Sequence, residues 1–179
     1  MNNHDADKPI EIKWQGDWIT AKKQGRWEFV SRSRGIRAAV ILAIVEGDVL
    51  LVDQYRAPLG RRCLELPAGL VGDEGDNEAP EAAAARELEE ETGYRTGKIE
   101  NLGEFFSSPG MASEGFTLVR ASELVRVGQG GGVADEDINV HRVPLSDIAD
   151  YVAARRKDGF AMDVKLLLLL GAGMLGERD

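Results

Sequence analysis

Cysteine is almost absent. Cys63 is the single one in 179 residues, so no intrachain disulfide can brace the fold. That usage fits a reducing compartment, and a cytoplasmic location is the expectation. Histidine is nearly as scarce: His4 and His141 are too few and too scattered to argue for a zinc centre. Long hydrophobic runs are missing as well. The longest, around residues 166–170, falls well short of the ~20 apolar residues of a membrane-spanning helix, and no membrane partner is expected. Residues 1–8 are polar and carry no apolar core of a secretory leader, so residues 1–9 are expected to be a mobile tail. Positive charge is in deficit, with a net charge of −9. Nucleic acid is bound largely by neutralising phosphates, so this balance argues against a nucleic-acid groove. A small phosphorylated ligand stays open, because a divalent cation can join an acidic site to a polyphosphate.

The length is that of one domain of ordinary size with room for a sizeable core. Residues 10–18 show weak alternation around a Gln15-Gly16-Asp17 turn and predict a short hairpin. Trp27, Phe29 and Val30 favour a strand over residues 27–32. All three tryptophans, Trp14, Trp18 and Trp27, fall in this first part of the chain, and each is expected in a core or a dimer interface. The continuous apolar run 38–45, a Glu46-Gly47-Asp48 turn and residues 49–54 predict a buried hairpin at the centre of a sheet. A strand over 63–66 should end at Pro67-Ala68-Gly69. Further strands are predicted over 98–106, 116–126 and 136–143, with a breaker loop over 107–115. The glycine-rich residues 128–132 read as a flexible loop, and no helix follows them to make a phosphate cradle. A helix should span about 145–157. A last one over about 162–170 is apolar around most of its circumference, as if covered on both sides. Strands early and helices late suit an α/β sandwich with a mixed sheet between helices.

Residues 72–94 organise the rest. Pro80 suits a first helical position, the run Ala82-Ala83-Ala84-Ala85 favours helix, and Gly93 suits a left-handed C-terminal cap. On this helix Glu87, Glu90 and Glu91 share one face by their spacing of three and four. Such a face is often only solvated. Three carboxylates placed together nevertheless repel, and their hard oxygens suit Mg²⁺, with Mn²⁺ as the other candidate.

The order Gly72, Glu78, Arg86-Glu87-Leu88, Glu90-Glu91 and Gly93-Tyr94, with its spacings, resembles the Nudix hydrolase signature at every fixed position. The resemblance implies a Nudix-type α/β/α sandwich over residues 35–179. It would be preceded by a small β segment, residues 10–34, used in dimerisation. It also implies metal ligation by Glu87 and Glu91, assisted by Glu90, with the backbone carbonyl of Ala68 as a further oxygen. Gly72, Glu78, Arg86 and Gly93 would support the motif. Four features resemble the ADP-ribose and nucleotide-sugar pyrophosphatase branch: Gln54-Tyr55-Arg56, the entry Glu65-Leu66-Pro67-Ala68-Gly69-Leu70, the loop Ser108-Pro109-Gly110 with Glu114, and Trp27-Glu28 with Val30 and Arg32. They imply substrate contacts from Trp27, Arg32, Arg56, Pro109 and Gly110, with Trp27 and Arg32 serving the site of a partner in a homodimer. The cluster ahead of Ile138 and Val140 implies a late-loop carboxylate at Glu136, acting as base or as outer-sphere partner of the metal. Glu90 and Glu136 are thus the catalytic candidates.

The expected reaction is hydrolysis of the pyrophosphate in a nucleoside diphosphate sugar, ADP-ribose first and GDP-mannose or another nucleotide sugar second. A non-catalytic nucleotide-binding module is the alternative from another class. Two departures stand out. Gly69 lies three residues before Gly72, so the loop looks longer than in that branch. Ala79 also stands where a capping hydroxyl is usual, leaving Asp76 or Asn77 to cap the helix.

Overall fold

The computed structural model describes residues 5–33, 36–72, 78–133 and 136–175. Its first element is a three-stranded antiparallel sheet of β1 (Ile10–Gln15), β2 (Ile19–Gln24) and β3 (Trp27–Arg32). A second, mixed sheet follows, built from β4 (Arg37–Val45), β5 (Asp48–Arg56), β6 (Arg61–Glu65) and β7 (Ala68–Val71). Beyond the helix α1 (Pro80–Thr92) come β8 (Tyr94–Phe106), β9 (Gly115–Arg126) and β10 (Asn139–Pro144). The chain closes with α2 (Ile148–Lys157), β11 (Ala161–Met162) and α3 (Leu167–Leu175). The strand order is β11-β6-β5-β4-β9-β8, with β10 paired to β5 and β7 to β4; β4–β9 and β6–β11 are the parallel pairs.

The long apolar run explains the layering. Along β4, Ala39, Ile41 and Ala43 enter one core while Val40 and Leu42 enter another. Successive side chains of a strand point to opposite faces, so a strand covered on both must be apolar throughout. The first core is closed by Ala83, Ala84 and Leu88 of α1, the second by Ile148 and Val152 of α2 together with Leu166. The expected α/β/α sandwich is the observed architecture. Among the described residues no helix is long and apolar enough to cross a membrane.

Several local expectations shift. Pro67 does end β6, but its carbonyl accepts the Ile41 N–H at 2.8 Å and turns the chain onto β4 as β7, a strand the Pro-Ala-Gly reading did not foresee. Strand β8 starts at Tyr94 rather than near residue 98, directly after the Gly93 turn. Strand β10 starts at Asn139 rather than at residue 136. The last helix is not covered all round: Leu167 and Leu168 are about half exposed, while Leu166 is buried. Met162, expected at the start of that helix, instead pairs in parallel with Leu64, next to an Ala161–Cys63 pair.

The small sheet is tied to the large one through the loop between β8 and β9. Val30 donates to the Met111 carbonyl and accepts from the Ser113 N–H, both at 2.9 Å. None of the three tryptophans enters a core; Trp14, Trp18 and Trp27 are all exposed in the single chain.

Candidate active site

The site is assembled on α1. Ala79 precedes Pro80 without a side-chain cap, and the proposed substitutes Asp76 and Asn77 lie outside the described residues. At the other end Gly93 adopts φ 74° and its N–H closes on the Glu89 carbonyl at 2.9 Å, the left-handed cap that its position suggested. The helix is fastened to β7 on the acidic face. Arg86 Nη1 donates to Glu87 at 2.9 Å and to Glu90 at 3.2 Å, and its Nε lies 3.5 Å from Glu78. Glu78 in turn accepts the Gly72 N–H at 3.1 Å. Arg86, Glu78 and Gly72 therefore join helix, loop and strand.

Glu91 is the most buried of the acidic set, 3% exposed, and accepts the Ala68 N–H at 3.1 Å. Glu87 passes directly over Gly69. A Cβ on that glycine would stand 1.9 Å from Glu87 Cγ, so only glycine leaves the carboxylate its path. The sequence marks Gly69 as part of the Pro-Ala-Gly strand end and as an irregularity of spacing, not as the crossing point of Glu87.

The glycine run 128–132 has a definite task and is not simply a flexible loop. Gly131 and Gly132 donate to the carbonyls of Glu91 and Glu90 at 2.8 and 3.0 Å, and the N–H groups of Val127 and Gly128 reach the Gly93 carbonyl. Helix ends leave carbonyls without intrahelical partners, and this run supplies donors for them. Immediately beyond it, Glu136 Oε2 accepts the Val133 N–H at 3.1 Å while the Glu136 N–H returns to the Val133 carbonyl at 2.9 Å.

A cavity of about 590 Å³ gathers these parts. Glu87, Glu91, Glu136, Ala68, Arg32 and Arg56 line it, all of them sequence candidates. Glu90 does not line it and is held by Arg86; neither do Trp27, Pro109 and Gly110. Trp27 lies in the exposed sheet with the Arg26 guanidinium over its ring at 6.0 Å. Arg32, expected at a partner's site, faces the cavity of its own chain and pairs with Glu114. Arg56 makes a two-pronged bond to buried Glu65 at 2.7 and 2.8 Å, which holds the guanidinium charge firmly.

The wall also contains residues that sequence reasoning passed over. Lys165 pairs with Asp163 at 2.7 Å and lies 5.4 Å from the Phe116 ring centroid. The available signal was the opposite charges of Asp163 and Lys165 just ahead of the apolar run 166–170.

Burial pushes the Glu91 carboxyl up to about 8, and the charges of Glu87 and Glu136 push the same way against the Ala68 N–H and Arg56. Negative charge is therefore in excess here, and the donors are hard oxygens. That chemistry fits a hard divalent cation. Among the described residues no three such groups converge as a ready-made cage, since Arg86 occupies Glu87 and Glu90 while Glu91 is bonded to β7.

The NUDIX domain family matches residues 34–161 of this chain. The protein belongs to the Nudix family. An ADP-ribose pyrophosphatase of Bacillus subtilis is 39% identical over 120 residues, 66% of this chain and 63% of that protein, so the match spans less than two thirds of the relative's length. A GDP-mannose pyrophosphatase of an Enterobacter species is 35% identical over 147 residues, covering 76% of this chain and 72% of that protein. The solved structure of an ADP compounds hydrolase superposes with a TM-score of 0.69 at 21% identity, covering 93% of this chain and 91% of the other, a likeness of fold. The helix α1 lies within the matched residues. The match also extends well past α1, through the glycine run and Glu136 to Ala161.

Proposed function

We propose that this Nudix protein hydrolyses the pyrophosphate bond of a nucleoside diphosphate sugar, with ADP-ribose cut to AMP and ribose 5-phosphate as the leading case. The observation that carries the reading is one cavity that joins Glu87, Glu91 and Glu136 to Arg32 and Arg56. Carboxylates to hold a cation and guanidinium groups to meet phosphate are the two halves such a substrate requires.

In this reading Glu87 and Glu91, with Glu90 and the Ala68 carbonyl, hold Mg²⁺ or Mn²⁺. When held there, such a cation would supply neutralisation of the diphosphate and a lower pKa for a nearby water. Arg56, fixed by Glu65, orients a phosphate, and Arg32 meets the other end of the substrate. The water oxygen forms a bond to one phosphorus, the bridging P–O bond breaks and its oxygen leaves with the other phosphate; Glu136 either takes the water's proton or, as an outer-sphere partner of the cation, would leave that proton to solvent. Arg86, Glu78, Gly72 and Gly93 keep the helix in register. The exposed Ile10, Ile12, Trp14 and Trp27 of the first sheet support a homodimer, in which Trp27 and the loop of Pro109 and Gly110 reach substrate across the interface.

The similarity to GDP-mannose pyrophosphatase favours a second substrate, GDP-mannose. A panel of ADP-ribose, ADP-glucose and GDP-mannose, incubated with enzyme and Mg²⁺ and analysed for products, tests both. AMP and ribose 5-phosphate from ADP-ribose support the first reading. Turnover of GDP-mannose alone moves the assignment, and tight nucleotide binding without turnover of any compound returns it to a binding module.

A further inference from the structure

The segment that brings Glu136 to the cavity is held on both sides. On one side Gly131 and Gly132 are bonded to the last turn of α1. The approach is close: a Cβ on Gly130, whose φ is 72°, would stand 2.5 Å from the Glu91 carbonyl oxygen. On the other side the hold comes from Arg62 of β6, which does not line the cavity. Its Nη1 donates to Asp137 Oδ2 at 2.6 Å, and its Nη2 donates to the Asp137 carbonyl at 2.9 Å and to the Asp53 carbonyl at 3.0 Å. Its Nε donates to the Asp53 carboxylate.

Asp53 is the anchor. It is 1% exposed and also accepts from Asn139 Nδ2 at 3.2 Å, with His141 Nε2 on its other oxygen. Arg62 is planar, so fixing Nε on a buried carboxylate also fixes where both Nη atoms point. They point at the residue next to Glu136. The Asp137 side chain is 79% exposed, and an ion pair in that setting contributes little by itself. The bond to the Asp137 carbonyl and the anchoring on Asp53 are what give the contact a defined geometry.

We propose that Arg62 is a positioning residue for catalysis: it acts through Asp137 to hold Glu136 opposite the acidic face of α1. The proposal rests on the reading that Glu136 serves the hydrolysis. It fits the start of β10 at Asn139, since just ahead of it the Asp137 carbonyl is taken by a guanidinium rather than by a strand partner. Lysine keeps the charge but has no fork, so it can pair with Asp53 and still release Asp137.

The test compares Arg62→Lys, Glu136→Gln and the double variant, each first shown to unfold cooperatively. Arg62→Lys is expected to lower kcat by about 10-fold with KM nearly unchanged, in the range seen for groups that orient others. Glu136→Gln is expected to lower kcat further, and the double variant to be no slower than Glu136→Gln alone, because residues acting as a unit are not additive. In metal-free protein, amide hydrogen exchange over residues 131–138 should quicken in Arg62→Lys, a readout independent of turnover. A wild-type kcat in Arg62→Lys, a fully additive double variant, or unchanged exchange would each overturn the proposal while leaving the role of Glu136 standing. A wild-type rate in Glu136→Gln instead overturns the reading of that residue, and the proposal with it. Should Arg62→Lys not fold, Asp137→Ala leaves the Asp53 anchor intact. It should lose about 3-fold in kcat by removing one of the two Asp137 contacts, an estimate below the orienting-group range; no loss there counts against the proposal.

Discussion

Two buried carboxylates, Glu91 on α1 and Asp53 on β5, have been treated in opposite ways. Each is almost wholly out of water, at 3% and 1% exposure. Burial pushes both up. Around Glu91 the neighbouring charges of Glu87 and Glu136 add to the push, and its carboxyl rises to about 8. Around Asp53 the bonds from Arg62, His141 and Asn139 together outweigh burial and hold the group below its ordinary range. Burial therefore does not decide the state of a carboxylate; its partners do. Asp53 is already paired and acts as structure. Glu91 stands among like charges, which suits the cation proposed for it.

The comparison can be broken most sharply at Glu91. Glu91→Gln should cut turnover by more than the roughly 10–100-fold typical of outer-shell partners while leaving the fold intact. Unchanged turnover in a steady-state assay would remove Glu91 from the ligand set. Asp53→Ala should act first on stability, costing about 3 kcal/mol in urea unfolding because the Arg62 guanidinium loses its buried partner, with a smaller loss of turnover as Arg62 lets go of Asp137. If Asp53→Ala unfolds at the wild-type midpoint, Asp53 is not an anchor. Gly69→Ala falls between them: displacing Glu87 should lower activity and cost about 1–3 kcal/mol as an overpacked site.

A fourth outcome concerns acid. Because Asp53 titrates lower in the folded chain than its ordinary 3.8, its contribution is present above that value and is lost as pH falls through the lower folded value. Asp53→Asn should therefore show a shallower loss of stability in that acid range; an identical acid limb would contradict the pairing. The smallest effect is expected on the solvent side of the same helix. Glu89→Gln, which breaks an exposed pair with Arg95, should leave both Tm and turnover unchanged.

Much of α1 was legible beforehand. Pro80, the alanine run, the Gly93 cap and the shared face of Glu87, Glu90 and Glu91 are local features, and local spacing reports them directly. The central apolar strand was legible for the same reason. Less visible was the role of Gly69, which depends on a side chain from another element crossing its Cα. The glycine run 128–132 reads as loose by composition, yet it closes α1 because its donors meet carbonyls from far earlier in the chain. Pairing of Arg32 with Glu114 and of Lys165 with Asp163 in one wall likewise carries no periodic signal.

The residues by themselves determined an acidic helix of defined face and cap, and a central strand buried on both sides, because both follow from helical and strand periods within a few positions. Only the tertiary structure decided which distant groups surround that face. Arg62 and Asp137 are 75 positions apart, and their contact exists because β6 and the start of β10 lie beside the same strand, β5. A hydrogen bond across that separation is a property of packing, and no local pattern encodes it.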